Sequence, residues 1–110
     1  EISKDRRNFI KNLYPKIHCN AKHVFHLYVI RCDSRDKLKK YLEAKGVSTA
    51  IHYPCPLPLL EAYDYLKLNK NEFSVSDSYK NQILSLPMFP ELSRDDIVYI
   101  TNLIKSFYNS

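Results

Sequence analysis

The chain holds one glycine in 110 residues, Gly46. One glycine cannot build a glycine-rich loop that cradles a phosphate. Cysteine is sparse too. Cys19, Cys32 and Cys55 are odd in number and irregularly spaced, which argues against a disulfide framework and suits a reducing cytoplasm. No apolar run approaches the ~20 residues of a membrane-spanning helix. There is no internal repeat and no low-complexity stretch.

What is present argues for a packed domain. Hydrophobic residues make up 45% of the chain, with nine tyrosines and five phenylalanines, a composition opposed to disorder. A chain this long forms one domain and buries roughly 65% of its unfolded surface. The net charge of +5, from 17 Lys plus Arg against 12 Asp plus Glu, could suit an anionic partner. Most lysines fall on solvent faces of expected helices, so the charge is read as a solvated surface.

Periodicity and punctuation set out the elements. Asp5–Tyr14 reads as a helix with Phe9, Ile10 and Leu13 on one side, ended by Pro15. Val24–Arg31 reads as a strand, and its apolar residues on both faces predict a central strand covered on both sides. Ser34 is placed to cap a helix in which Leu38, Tyr41 and Leu42 recur, with Lys37, Lys39, Lys40 and Lys45 outside. Gly46 stands where that helix needs a left-handed stop. Val47–His52 reads as the next strand.

Leu59–Leu66 is expected as a short helix and Asn69–Glu72 as a polar loop. Ser74 is expected to cap a helix with Val75, Tyr79 and Ile83 spaced by four. Leu84–Pro87 reads as a short strand. Ser93 caps the last helix, with Asp95 and Asp96 in its first turn and Ile97, Ile100, Ile104 and Phe107 as the apolar stripe. Helices packed on a small sheet make a two-layer α/β sandwich.

Two proline-bracketed runs stand out. Gly46-Val47-Ser48-Thr49-Ala50-Ile51-His52-Tyr53-Pro54-Cys55-Pro56 runs from a helix stop through a strand into a rigid loop. The loop presents His52 and Tyr53, each with a flat body and a polar tip. The second run is Ile83-Leu84-Ser85-Leu86-Pro87-Met88-Phe89-Pro90-Glu91-Leu92.

These runs, with His26-Leu27-Tyr28-Val29-Ile30-Arg31, Arg35-Asp36-x-Leu38, Ala62-Tyr63, Phe73-x-Val75-Ser76-Asp77 and Pro90-Glu91-Leu92-Ser93, resemble the C-terminal part of the DegT/StrS sugar aminotransferases. The resemblance runs from about Arg6 to Phe107. It implies the small C-terminal domain of a fold-type-I pyridoxal-phosphate-dependent transferase, with residues 1–110 a single domain cut from a longer enzyme. The implied reaction passes an amino group, from glutamate, to a keto-sugar nucleotide for amino-deoxysugar biosynthesis. The implied partners are the nucleotide-sugar, the enzyme's own N-terminal domain and a second copy in a homodimer.

In such enzymes the His-Tyr pair lies at the active-site mouth, so His52 and Tyr53 are the expected substrate-binding residues. The family often continues this loop with His, Leu and Gln, where Pro58, Leu59 and Leu60 stand here. The pyridoxal phosphate and its lysine belong to the large N-terminal domain in the family. No catalytic or cofactor-binding residue is therefore assigned here, and the fragment alone is expected to be inactive.

His18, Cys19, His23 and His26 cluster in sequence but lack metal-site spacing, so no metal is assigned, and His26 is read as a structural histidine. Met88 and Phe89 are read as core. Glu61 and Asp64 show no acid–base pairing. One alternative is a non-catalytic interaction domain derived from the aminotransferase. The other is an RNA-recognition module, because Leu27-Tyr28-Val29-Ile30 looks like its first strand motif. The glycine-bearing second motif of that module has no counterpart here.

Overall fold

The computed structural model describes residues 18–109. The expected Asp5–Tyr14 helix lies outside the described residues. The order is β1 (Tyr28–Arg31), α1 (Arg35–Ala44), three tight helical turns between Leu57 and Phe73, α2 (Ser74–Tyr79), β2 (Ile83–Leu86) and α3 (Arg94–Asn109). Helix and strand are mixed, as the sequence predicts.

β1 and β2 pair antiparallel, with Tyr28 opposite Leu86 and Arg31 opposite Ile83. Ser85 also bridges to Ala50 on the other edge of β2. Among the described residues β2 is therefore the inner strand and β1 an outer one, the reverse of the central role expected for Val24–Arg31. The strand is also shorter than expected, because Phe25 takes a left-handed φ of 50° and its N–H bonds to His23 Nδ1 at 2.8 Å. This turn breaks the extended run, and Val24 is 84% exposed.

The expected strand Val47–His52 is reduced to the single Ala50–Ser85 bridge. Physical causes lie at both ends. Ser85 N–H and C=O point to the Ala50 edge, and so do those of Ile83 and Pro87, two residues to either side. Pro87 has no N–H to give. The Ile83 carbonyl already accepts from Arg35 Nη1 at 3.1 Å. Arg35 is 6% exposed, and its Nε lies 2.7 Å from Asp36 Oδ1, an ion pair without hydrogen-bond alignment.

α1 ends as the glycine predicts. Val47 N–H bonds to Leu42 O at 2.9 Å and Gly46 N–H to Glu43 O at 3.0 Å, with Gly46 at φ 80°. This paired pattern is a Schellman stop, and its customary apolar contact is made by Leu42 and Val47, both in the core. At the start of α1, Ser34 itself is left-handed and its side chain makes no cap; its carbonyl accepts from Lys37 and Leu38 instead. Ser74 likewise lies inside α2 rather than capping it, Val75 is exposed, and Ile83 has passed into β2.

Ser93 caps α3 fully. Asp96 N–H bonds to Ser93 Oγ at 3.1 Å, and Asp96 Oδ2 accepts from the Ser93 N–H at 3.1 Å and from its hydroxyl at 2.6 Å. This is a capping box with Asp in the reciprocal position. From the expected stripe, Ile100 and Ile104 are buried and Phe107 is half-buried, while Ile97 is 50% exposed.

The core joins Ile30 and Leu84 of the ladder to Leu38 and Leu42 of α1 and to Ile100 and Ile104 of α3. Alternation then fixes the opposite face of the ladder, which carries Val29 and Ser85. That second face holds the candidate site.

Candidate functional site

Ala50 and Ser85 exchange both backbone hydrogen bonds, at 3.1 and 2.8 Å. Two residues beyond Ala50, His52 comes back beside Ser85. Its Nδ1 lies 2.8 Å from Ser85 Oγ. Ser85 is 4% exposed and His52 is half-buried. Tyr53 follows across a cis peptide and is 69% exposed. The two rings meet edge to face, with centroids 5.4 Å apart at 89°. The structure thus brings the two sequence-predicted site residues together. One is anchored and the other projects.

A shallow groove of about 210 Å³ opens beside them, lined among others by His26, Leu27, Thr49, His52, Ser85 and Met88. Thr49 Oγ1 is buried there with no hydrogen-bond partner among the described residues. His26 is exposed and lines this groove, so the structural-histidine reading is corrected. Met88 is 37% exposed and Phe89 49%, so neither plugs the core. Pro87 and Pro90 hold that segment out of regular structure, and Phe89 lines two further grooves along α3.

Ser85 was not singled out by sequence reasoning. Its signal is a hydroxyl interrupting the apolar run Ile83-Leu84-Ser85-Leu86, whose buried polar group then needs a partner.

Other sequence candidates lie elsewhere. His18 and His23 each accept a backbone N–H two residues on, from Asn20 and Phe25. No group of three or more His, Cys, Asp or Glu converges among the described residues. Glu61 and Asp64 are exposed on a tight turn. Pro58, Leu59 and Leu60 do not line the His52 groove. Tyr28, which an RNA-recognition module would offer to a base, packs against the core instead. No helix among the described residues is long and apolar enough to cross a membrane.

The groove offers imidazole, hydroxyl and apolar surface. Among the described residues that line it there is no lysine and no carboxylate. It can hydrogen-bond and stack on a ligand. It does not fit pyridoxal phosphate, which needs an amine for its carbonyl carbon and an acid for its ring nitrogen.

Comparison with known proteins places the chain. The model of the DegT/DnrJ/EryC1/StrS aminotransferase family matches residues 6–105. The erythromycin biosynthesis sensory transduction protein EryC1 of Saccharopolyspora erythraea is 40% identical over 92 residues, 84% of this chain and 25% of that protein. A dTDP-3-amino-3,4,6-trideoxy-alpha-D-glucose transaminase of Streptomyces venezuelae is 32% identical over 84 residues, 76% of this chain and 22% of that protein. A crystal structure of a DegT DnrJ EryC1 StrS aminotransferase from Brucella abortus superposes with a TM-score of 0.83 at 33% identity, over 94% of this chain and 27% of that one. The chain spans about a quarter of the length of the relatives it matches.

Proposed function

We infer, from the premise that this chain belongs to the DegT/DnrJ/EryC1/StrS aminotransferase family, that it serves a pyridoxal-phosphate-dependent transaminase acting on nucleotide-sugars. The match across residues 6–105 carries this reading. The chain is the small C-terminal domain of that enzyme, a two-layer sandwich of sheet and helices. Its role is to close over the substrate. His52 and Tyr53 hold the nucleotide-sugar, the imidazole by hydrogen bonding and the phenol ring by stacking.

The division of labour follows from the donor set. The residues around His52 do not fit the cofactor, so it is held by the rest of the enzyme, and the chain on its own is inactive. The amino donor is glutamate and the acceptor a keto-sugar nucleotide. The working enzyme is a homodimer in the cytoplasm. The supporting observation for the site is the half-buried His52 anchored on Ser85, with exposed Tyr53 at its edge.

The test is an absorption spectrum of the full-length enzyme with and without glutamate. The visible band of bound pyridoxal phosphate is expected to bleach with glutamate and to recover with the correct keto-sugar nucleotide. An enzyme that takes up no pyridoxal phosphate refutes the transaminase reading. His52→Ala and Tyr53→Ala are each expected to raise KM for the sugar nucleotide about tenfold or more, the loss of one good hydrogen bond or stacking contact.

A further inference from the structure

We propose that Ser85 is a positioning residue that fixes His52 in its Nε2–H tautomer, so that the imidazole meets its ligand as a hydrogen-bond donor. The ligand group is then an acceptor oxygen, a phosphoryl or carbonyl oxygen of the nucleotide-sugar. The identity of the ligand rests on the reading above. The tautomer does not.

The inference follows from hydrogen-bond accounting. Ser85 is 4% exposed, in the middle of an apolar strand. Its backbone N–H and C=O are both engaged by Ala50. Among the described residues its hydroxyl meets one partner, His52 Nδ1 at 2.8 Å. Two arrangements satisfy that distance. Either the hydroxyl donates to a bare Nδ1, or it accepts from Nδ1–H.

The second arrangement buries the serine proton with no acceptor, at a cost of about 1–3 kcal/mol. The first leaves only lone pairs unmet, which buried oxygens tolerate better. The hydroxyl therefore donates. A neutral imidazole carries one N–H, so the proton sits on Nε2. Among the described residues no carboxylate lines the groove to accept it. Thr49 Oγ1, buried and unmet on the same groove, adds a second polar atom for the ligand to satisfy.

The ladder supplies the rigidity. Ser85 sits in the Ala50–Ser85 bridge and His52 lies two residues beyond it, so backbone pairing brings the two side chains to one place. Ser85 lines the groove with its hydroxyl turned to His52. It acts by holding the ring angle and the proton.

The test has two arms on the full-length protein. Nitrogen-15 NMR of labelled histidine, without ligand and at a pH where the ring is neutral, reads the tautomer of His52 directly. A single Nε2–H form is expected in the natural protein, giving way to a mixture in Ser85→Ala. An Nδ1–H form, or a Ser85→Ala spectrum unchanged at His52, overturns the proposal. Natural backbone amide shifts elsewhere in the variant establish that it folds, and Ser85→Thr, which keeps the hydroxyl, is expected to restore the single form.

The second arm uses binding of UDP and dTDP as probes. Glutamine places an amide N–H near the Nε2 position, and asparagine near Nδ1. His52→Gln is expected to keep affinity within about threefold, and His52→Asn to lose about tenfold. The reverse order overturns the donor role. If neither change weakens either nucleotide, the substrate-site reading fails, and the NMR arm alone still decides the Ser85 proposal.

Discussion

Tyr108 donates its phenol proton to the backbone carbonyl of Asp33 at 2.7 Å, tying the end of α3 to the residues just before α1. Tyr99 makes the matching tie at the other end of α1, to the carbonyl of Lys45 at 3.0 Å. The two phenols clamp α3 along α1 and hold the helical layer over the ladder. Burial pushes the Tyr108 phenol above its ordinary range, so it stays a donor at any pH the protein experiences. Tyr108→Phe is expected to destabilise by about 1 kcal/mol, with faster hydrogen exchange at the C-terminal end of α3.

Gly46 is expected to resist replacement for a backbone reason alone. A Cβ there would meet nothing within 4 Å, yet φ is +80°. Gly46→Ala should cost about 1 kcal/mol and Gly46→Asn distinctly less, since Asn tolerates the left-handed region. Denaturant midpoints of the three proteins check this. Equal losses for Ala and Asn would contradict it.

The α3 cap carries a pH signature. Hydrogen bonds from the Ser93 hydroxyl and N–H hold the Asp96 carboxyl below its usual range. A carboxyl lowered on folding stabilises the folded state above its unfolded value and loses that contribution as pH falls through the folded one. Protection of the first-turn amides of α3 is therefore expected to be full above about pH 4 and to decline below it. Asp96→Asn should flatten that dependence. Ser93→Ala should cost about 1 kcal/mol at neutral pH.

The cysteines should separate by reactivity. Cys32 is 3% exposed and burial pushes its thiol up, whereas Cys19 is exposed. Alkylation of the folded protein near pH 8 is expected to label Cys19 promptly and Cys32 only on unfolding, as mass spectrometry of the digested peptides would show. Prompt labelling of Cys32 would mean that β1 opens far more often than its packing implies.

Leu84 is fully buried at the centre of the ladder, between Ile30 and the helical layer. Leu84→Ala is expected to cost about 2–5 kcal/mol. Next to it, Ser85→Ala should cost less, about 1 kcal/mol, while changing His52, because it removes one hydrogen bond and leaves a half-buried imidazole that solvent reaches. That contrast separates a packing role from a positioning one.

Local chemistry made several features legible in sequence. A lone glycine after an amphipathic run fixed the end of α1, since only glycine adopts that φ freely. Ser93 with Asp96 marked the start of α3 because their hydrogen bonds span three residues. The His52–Tyr53 pair was legible because prolines punctuate it. Other features depend on residues distant in the chain. The extent of the third strand was decided by Arg35 seizing the Ile83 carbonyl and by Pro87 lacking an N–H, neither visible from Val47–His52 itself. Phe25 broke a run whose composition reads as strand. Above all, Ser85 became the anchor of His52 only through a contact across 33 residues, which strand pairing makes and no local pattern encodes.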